Sequence, residues 1–287
     1  MDKEKLCIIF NPAAKGERAG FLETKVAALA EANKMFCSSQ PGDAERLARA
    51  AVAEGFQIIV AAGGDGTLNE VVNGMAGSGA TLGVLPLGTM NVFAEELGLP
   101  VNQLAACWEI IMSGQTRVVD LARANHRFFV QLAGVGLDAQ TVQETDFEMK
   151  RTIGPLSYIL SAVQVIGRPA PLLQIHLADG RQTEGRFILI GNGKYYGGKI
   201  TFFKNGNNSD GLLDLLVFKN QSYLDIIRYL QGVFLGNHVD LPDIDYYQVP
   251  ALAVSSEQPV PVELDGEVAF QTPVEFRIAE QKLVVLA

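Results

Sequence analysis

The amino-acid sequence predicts an α/β fold of two domains, an N-terminal α/β domain with a mostly parallel sheet and a C-terminal antiparallel β-rich sandwich domain. The chain has 287 residues, about twice the commonest length of one domain. Its first part alternates apolar runs with helical periodicity, as βαβ units do. From about Arg123 onward, strand-length runs alternate with turns rich in Gly, Asn, Asp and Pro. The predicted domains are therefore residues 1–123 and 124–287.

The predicted first domain alternates strands with helices. Its strands are short and apolar, as buried parallel strands are, and they are expected at Leu6–Phe10, Gln57–Ala62 and Thr81–Leu85. Its helices have apolar residues at helical spacing and are expected at Phe21–Asn33, Asp43 to about Glu54, Thr67–Met75 and Val101–Met112. Because Asp43 follows Pro-Gly, its carboxylate is expected to cap free amides of its helix.

The predicted second domain is a series of strands with helices interposed. The strands are β-branched or aromatic runs bounded by turn residues, and they are expected at Arg127–Leu132, Leu172–Leu177, Arg186–Ile190, Leu212–Phe218, Val260–Leu264, Val274–Ile278 and Lys282–Leu286. Helices are expected near residues 155–166 and 222–235. This pattern is typical of an antiparallel sandwich or barrel.

Composition and charge exclude several classes of protein. With 48% hydrophobic and 19% charged residues, the chain is an ordinary globular protein and not a disordered one. The net charge of −9 argues against a nucleic-acid partner, because neutralising a phosphate backbone needs clustered positive charge. A small anionic ligand is compatible with that charge, since oriented backbone amides bind phosphate locally. Cys7, Cys37 and Cys107 lack the spacing of a Cys/His metal site.

No segment of the sequence is predicted to direct secretion or to cross a membrane. The apolar run Leu6–Phe10 is too short for the core of a signal peptide. No later run approaches the roughly 18 apolar residues that span a bilayer. The sequence therefore predicts a soluble, cytoplasmic protein without a transmembrane segment.

The strongest local signal is a glycine-rich turn between a predicted strand and a predicted helix, with the sequence Ala61-Ala62-Gly63-Gly64-Asp65-Gly66-Thr67-Leu68-Asn69-Glu70. Glycines permit positive φ and a close approach of the backbone, so that amides and a helix N-terminus converge on phosphate oxygens. Asp65 would repel phosphates unless a cation intervenes, so it is expected to bind Mg²⁺ directly or through water. The turn predicts nucleotide binding.

Two common nucleotide-binding patterns are missing in their usual form. The dinucleotide pattern GxGxxG does not occur at this turn. The segment Gly193–Lys199 approaches a phosphate loop, but Ile200 stands where Ser or Thr must bind Mg²⁺. We interpret that segment as a glycine-rich loop between strands. The following Phe202 and Phe203 either belong to the core or line a lipid pocket.

Several motifs follow one another along nearly the whole chain: NPAAKG, PGDAERLA, GGDGTLNE, PLGTMNVFAEELGLP, LAGVGLDA, NSDGLLDL and LDGE. In this order they resemble the bacterial diacylglycerol kinase family, which is related to sphingosine and ceramide kinases. The resemblance implies an α/β nucleotide-binding domain, a β-rich second domain and an active site in the cleft between them. It also implies ATP and Mg²⁺ as cofactors and a lipid alcohol as the acceptor.

The resemblance places the nucleotide contacts in the first domain. The residues implied to bind ATP are Asn11, Pro12, Ala13, Ala14, Lys15, Ser38, Gly64, Asp65, Gly66, Thr67, Leu68, Asn69, Glu70 and Thr89. Ser39 is an alternative to Ser38. Asp65 would also belong to the catalytic Mg²⁺ network, with Asp120 as a member that acts through water.

The same resemblance places catalytic and metal-binding residues in the second domain. Phosphoryl transfer to an alcohol needs a carboxylate within hydrogen-bond reach of the attacking hydroxyl. In the LDGE segment, Glu267 would accept that proton, and Asp265 would be either its catalytic partner or a residue on the metal side. Asp210 would bind a structural Mg²⁺ together with the backbone carbonyls of Asn207 and Leu212. Without the resemblance, both segments are typical of ordinary turns.

Two segments depart from the family pattern, and they leave alternatives open. The family usually has a proline-containing loop after its Gly-Gly-Gly segment, and Lys199–Phe203 stands there in this chain. Where the family has GTGND, Met90 stands in place of a glycine and Val92 in place of an acidic residue. The predicted function is an ATP- and Mg²⁺-dependent lipid kinase that phosphorylates a hydroxyl of diacylglycerol or a related lipid. The alternatives are an NAD kinase, which shares the GGDGT turn, and a nucleotide-binding regulatory protein without lipid kinase activity.

The predicted partner is a lipid substrate at a membrane surface, which the protein contacts transiently. Bulk electrostatics do not attract an acidic protein to an anionic membrane, so a local apolar or basic patch is expected to make the contact. A homodimer is consistent with the resemblance, because family members commonly pair.

Overall fold

The structure is a computed structural model that describes residues 5–12, 19–30, 33–144 and 171–287. The chain packs as two units. Met1–Leu121 and Glu280–Ala287 belong to the first unit, and Ala122–Ala279 form the second. The helix expected near residues 155–166 lies outside the described residues, and so do Ala13, Ala14 and Lys15.

The sheet of the first unit is parallel, as the sequence predicts. Its strands lie in the order β2, β1, β3, β4, with bounds β1 Leu6–Phe10, β2 Lys34–Cys37, β3 Ile58–Gly63 and β4 Thr81–Pro86. The C-terminal end of the last strand, β18 (Val274–Leu286), pairs in parallel with β4. The β1 strand is buried along its whole length, which explains why its apolar run identifies it.

The helices of this unit are α1 Ala19–Ala30, α2 Asp43–Ala53, α3 Asp65–Met75, α4 Val92–Glu96 and α5 Leu104–Ser113. The α3 helix begins two residues earlier than the expected Thr67, because Gly64 is extended and serves as its N-cap. The α5 helix begins at Leu104 instead of Val101, because the amide of Gln103 bonds to the carbonyl of Pro100 in a turn.

The prediction that Asp43 caps α2 is wrong. The cap is Gly42 in a left-handed conformation, and the Asp43 carboxylate accepts the amide of Ser39 at 3.0 Å. The free amides of α2 are bound by Glu70 of α3, whose carboxylate accepts Gly42 N at 2.8 Å and Ala44 N at 2.9 Å. One buried carboxylate therefore supplies the negative charge that a helix N-terminus favours.

The second unit contains two antiparallel sheets. The six-stranded sheet has the order β14, β13, β10, β7, β16, β17, with bounds β7 Leu132–Val135, β10 Phe187–Gly191, β13 Leu213–Phe218, β14 Ile244–Val249, β16 Pro261–Leu264 and β17 Glu267–Gln271. In the other sheet β18 pairs with β15, β15 with β8 and β8 with β9, with bounds β8 Leu173–Leu177, β9 Gln182–Gly185 and β15 Ala251–Ser256.

Apolar side chains from both sheets form one core. It contains residues of the six-stranded sheet such as Ile188 and Val262, and residues of the other sheet such as Ile175 and Phe276. A core shared by two packed sheets is the arrangement of a β-sandwich, so the predicted fold class is confirmed.

The remaining elements complete the second unit. They are β5 Thr116–Ala124, which begins in the first unit, β6 Arg127–Phe129, α6 Leu137–Glu144, β11 Tyr195–Tyr196, β12 Ile200–Thr201, α7 Tyr223–Leu235 and a 3₁₀ turn at His238–Asp240. The expected strands Val274–Ile278 and Lys282–Leu286 are one continuous strand, β18, so their separation is wrong. Of the helices that the structure describes, none is long and apolar enough to span a bilayer.

Candidate active site

In the first unit, the predicted nucleotide residues gather at the carboxyl ends of parallel strands. Asn11 directly follows β1, and Gly64 directly follows β3, which is adjacent to β1. From β1 the chain moves to β2 on one side, and from β3 it moves to β4 on the other. Ligands of open α/β sheets bind at such a switch point, outside the carboxyl ends of the strands. The GGDGT turn lies at this position.

Two hydrogen bonds join Asn11, which follows β1, to the end of β3 and to the start of α3. The amide of Asn11 donates to the carbonyl of Ala62 at 3.0 Å, and its side-chain Nδ2 donates to Thr67 Oγ1 at 2.8 Å. A Cβ on Gly63 would lie 2.5 Å from Thr67 Cβ, so this turn requires a glycine. The α3 helix starts at Asp65, and the amides of a first helical turn have no partner within the helix. They present partial positive charge to an anion.

A second glycine turn packs against the first. The backbones of Gly64 and Gly88 approach so closely that a Cβ on Gly88 would lie 2.6 Å from Gly64 Cα. Asn91 holds this second turn, because its side chain accepts Gly88 N and donates to Gly88 O, both at 2.8 Å. Asn91 has a φ of +48°. Val92, which differs from the acidic residue of the family pattern, follows it as the first residue of α4. The Asp65 carboxylate of α3 accepts the backbone amide of Phe93, the second residue of α4, at 3.4 Å.

This packing predicts the effect of a single methyl group. Gly88→Ala is expected to lower the free energy of unfolding by about 1–3 kcal/mol, because the new Cβ overlaps Gly64 and Asn91. It is also expected to weaken ATP binding, since Gly64 must move. Denaturant unfolding and calorimetric titration with ATP measure the two effects. In the control Gly79→Ala, φ is +76° and no atom lies within 4 Å, so stability falls while ATP affinity does not. Equal ATP affinity in both variants would contradict the prediction.

The other predicted nucleotide residues have different surroundings. Ser38 is buried and its amide donates to the carbonyl of Phe10 at 2.9 Å. Leu68 is a core residue, and Asn69 accepts the side-chain amide of Asn73 at 3.0 Å. Thr89 is exposed, Gly66 is half-buried in the first turn of α3, and Pro12 is half-buried after β1.

Two acidic residues of this unit are already engaged. The Glu70 carboxylate binds the α2 amides with both oxygens, as described above. Asp120 is buried, and its carboxylate accepts a hydrogen bond from the ammonium of Lys282. Their roles at a nucleotide or a metal stay predictions.

In the second unit, the LDGE segment is a tight hairpin between β16 and β17. Asp265 and Gly266 have φ values of +48° and +88°, as a two-residue type I′ turn requires. The Asp265 carboxylate accepts three backbone amides, those of Val130 at 2.8 Å, Gln131 at 2.9 Å and Leu132 at 3.0 Å. Asp265 therefore fastens the hairpin to the segment between β6 and β7. Glu267, the first residue of β17, is exposed beside it.

A buried pair of carboxyl groups lies behind this hairpin. Glu263 of β16 is fully buried, and its Oε1 lies close to Oδ2 of Asp138 of α6, since both oxygens are within 3.0 Å of the position that a Cβ on Gly134 would take. Its second oxygen accepts Gly266 N at 2.8 Å, and Asp138 accepts the hydroxyl of Tyr196. Gly134 leaves room for the pair, since a Cβ there would lie 2.5 Å from Asp138 Oδ2.

The pair favours a bound proton. Two negative charges held side by side away from water repel each other, so a carboxyl of the pair keeps its proton more readily than an isolated carboxyl does. Burial raises the pKa of Glu263 well above its usual range, and the Asp138 carboxyl raises it further. Burial also raises the pKa of Asp138. Sequence reasoning missed this pair; the available signal was an acidic residue inside each of the apolar runs LAGVGLDA and PVEL.

The predicted structural metal site lies in the turn before β13. The Asp210 carboxylate accepts Leu212 N at 3.0 Å, and Asn207 Oδ1 accepts Ser209 N at 3.2 Å. The proposed ligands, one carboxylate and backbone carbonyls, are all oxygens, the type that Mg²⁺ takes. Within the described ranges, no cluster of three or more His, Cys, Asp or Glu side chains could hold a metal.

Two interpretations of the lipid side can be compared with the structure. The segment that approaches a phosphate loop forms the β11–β12 hairpin, with positive φ at Gly197 and Gly198. Phe202 and Phe203 directly follow this hairpin in the sequence, and both are buried in a core cluster. Core packing therefore accounts for these two aromatic residues.

The comparisons with known proteins agree with the motifs. A family model described as "Diacylglycerol kinase catalytic domain" matches residues 5–124, and one described as "YegS C-terminal NAD kinase beta sandwich-like domain" matches residues 131–287. A diacylglycerol kinase of Bacillus subtilis (strain 168) is 30% identical over 239 residues, which cover 82% of this chain and 79% of that protein. One of Staphylococcus carnosus (strain TM300) is 28% identical over 301 residues, which cover 99% and 95%.

A solved structure supports the same relationship. The crystal structure of a diacylglycerol kinase from Bacillus anthracis str. Sterne matches with a TM-score of 0.79 and 27% identity, covering 99% of this chain and 96% of that chain. The resemblance of the motifs is thereby confirmed over both units. The chain belongs to the bacterial diacylglycerol kinase family.

Proposed function

We propose that this protein is an ATP- and Mg²⁺-dependent lipid kinase that transfers the γ-phosphate of ATP to a hydroxyl of diacylglycerol or a related lipid. The observation that carries the proposal is the GGDGT turn at the switch point of the parallel sheet. There Gly63 and Gly64 keep the space free of side chains, and α3 presents its first amides. The names of the relatives support the lipid acceptor.

In this proposal the first unit binds the nucleotide. The amides at the start of α3 hold phosphate oxygens, and Asn11 fixes Thr67 beside them. Asp65 is the carboxylate that would hold Mg²⁺, which supplies charge neutralisation at the phosphates when it is bound. The half-buried Asp65 lies in the first turn of α3, where its own charge is favoured by the helix N-terminus.

The second unit supplies the proton acceptor. As the lipid oxygen forms its bond to phosphorus, its hydroxyl proton passes to the Glu267 carboxylate, and ADP leaves with the electrons of the broken P–O bond. Asp265 supports this step indirectly, because its hydrogen bonds to three backbone amides keep in place the hairpin that carries Glu267. The proposal includes a cytoplasmic location with transient contact to a membrane surface, and no nucleic-acid partner.

Neither alternative function is favoured. The family model over residues 5–124 is that of a diacylglycerol kinase catalytic domain, which favours a lipid kinase over an NAD kinase. A regulatory protein without activity has only the departures at Met90 and Val92 in its support. Asn91 lies between these two residues, and its side chain makes both hydrogen bonds to the backbone of Gly88. The turn is therefore held in place although Met90 and Val92 differ from the family pattern.

A phosphorylation assay with labelled ATP tests the proposal. The purified protein is incubated with diacylglycerol, monoacylglycerol, ceramide, a sphingoid base, phosphatidylglycerol or NAD. We expect label in diacylglycerol or a close analogue, dependence on added Mg²⁺ and loss of transfer in Asp65→Asn. The control Asp179→Asn removes an exposed turn carboxylate and is expected to behave like the wild type. Label in NAD alone, or in none of these acceptors, would contradict the proposal.

A further inference from the structure

The α7 helix has apolar side chains on two sides, and only one of these sides is buried. Ten large hydrophobic side chains of the described residues are exposed, and six of them lie on α7: Tyr223, Leu224, Ile227, Leu230, Phe234 and Leu235. Leu224 and Phe234 are each 78% exposed. Among the exposed residues of this helix, only Gln231 is polar. We call these six residues the α7 strip. A helix that is hydrophobic all round is normally covered on every side.

The helix is held firmly, so the exposure does not result from a loose element. Its opposite side packs through Tyr229 and Val233 into a buried aromatic cluster, where the rings of Phe218 and Tyr229 lie 5.1 Å apart. The hydroxyl of Tyr229 donates to the Asp243 carboxylate at 2.6 Å. A capping box closes the N-terminus, with the amide of Asp225 bonded to Ser222 Oγ at 3.3 Å.

The charges of the helix are turned away from the strip. Asp225 and Arg228 are half-buried and paired at 3.1 Å, and Arg228 also binds Asp243 at 2.8 Å. The hydrogen bond from the Ser222 hydroxyl, and after it the pairing with Arg228, hold the pKa of Asp225 below its usual range. The strip itself therefore carries no charged group, and a partner that is apolar and uncharged complements it.

We propose that the α7 strip inserts into the acyl region of a membrane surface composed of uncharged or zwitterionic lipids. This inference rests on the proposed function, which requires contact with a lipid that resides in a bilayer. An amphipathic helix lying in the interface places Leu and Phe side chains at the boundary of headgroups and acyl chains. The strip has this composition but lacks the basic residues that would attract anionic lipids, so its binding is hydrophobic and independent of salt.

A second copy of the chain is a poorer occupant of the strip. A helix of 13 residues is about 20 Å long and about 10 Å wide. Two such strips would bury well under the roughly 800 Å² per partner that a stable dimer needs. Each copy also carries a net charge of −9, which opposes association. A layer of acyl chains needs no matching shape, because it adapts to a convex helix.

Flotation with vesicles tests the inference. Wild-type protein is mixed with phosphatidylcholine vesicles that contain diacylglycerol, and the bound fraction is measured without ATP. We expect binding that does not change between about 0.1 M and about 1 M salt, although the Debye length falls from about 10 Å to about 3 Å. The variant Leu224→Gln/Phe234→Gln/Leu235→Gln is expected to lower the partition coefficient by at least about tenfold. Glutamine keeps the helix, because it is a good helix former.

Val118→Thr is the matched control, since Val118 is an exposed apolar residue of the first unit, and its binding is expected to equal that of the wild type. Circular dichroism and the thermal midpoint verify that the triple variant is folded. Three outcomes would each overturn the inference. They are unchanged vesicle binding of the triple variant, loss of wild-type binding at high salt, and a wild-type protein that is dimeric while the triple variant is monomeric. Kinase activity is measured separately: binding through α7 without phosphate transfer by the wild type would refute the kinase proposal and leave the membrane surface supported.

Discussion

Replacing Glu267 with glutamine is expected to lower kcat for lipid phosphorylation by about 100- to 10,000-fold, the usual contribution of a general base. Glutamine keeps the size of the side chain but cannot accept a proton from the lipid hydroxyl. Glu267 is exposed at the start of β17, so the free energy of unfolding should change by less than about 0.5 kcal/mol. The measurement is steady-state kinetics with ATP and vesicle-borne diacylglycerol, together with calorimetric titration of ATP, which should show unchanged affinity.

A carboxylate elsewhere in the same unit is the appropriate control. Glu257 is exposed in the turn before β16, and Glu257→Gln removes the same charge without touching the hairpin. Its kcat should equal that of the wild type. If Glu267→Gln retained the wild-type kcat, Glu267 would not be the proton acceptor. If it lost ATP affinity as well as kcat, the loss would reflect nucleotide binding and not proton transfer.

Local patterns carried most of the fold prediction, and its errors have physical causes. The strand Leu6–Phe10 was predicted with its observed bounds, because it is apolar throughout and buried throughout. The β2 strand was missed because it is a short edge strand with exposed residues, so burial imposes no pattern on it. The single strand β18 was divided in two because three consecutive exposed polar residues, Glu280, Gln281 and Lys282, interrupt its apolar pattern.

In the candidate site too, local contacts could be predicted from the sequence and contacts between distant residues could not. The GGDGT turn was predictable because its glycines act on the backbone within a few residues of one another. The position of Glu70 was not, since it binds the start of a helix 28 residues earlier in the chain. Asp265 likewise accepts amides that lie 133 to 135 residues earlier in the chain. A carboxylate that serves a distant backbone has the same local sequence as one that serves a ligand.

Because Glu263 and Asp138 are buried together, we expect their contribution to stability to fall as pH rises. Carboxylates paired with cations have the opposite effect. Because the pKa of Glu263 is raised in the folded protein above its usual value of 4.5, the folded state binds more protons than the unfolded state above that pH. The free energy of unfolding therefore falls as pH rises, by up to about 1.4 kcal/mol per pH unit until the folded-state pKa is passed. In Glu263→Gln this contribution is absent.

Glu263→Gln is therefore expected to match the wild type below about pH 4.5 and to become the more stable protein as the pH rises. The glutamine amide can donate to Asp138, and its oxygen can still accept Gly266 N, so the buried polar groups have partners without a bound proton. Urea unfolding across a pH series measures the difference between the two proteins. Glu257→Gln, an exposed substitution of the same kind, should run parallel to the wild type. A constant difference between Glu263→Gln and the wild type at every pH would show that the pair holds no proton above the usual pH range of a carboxyl.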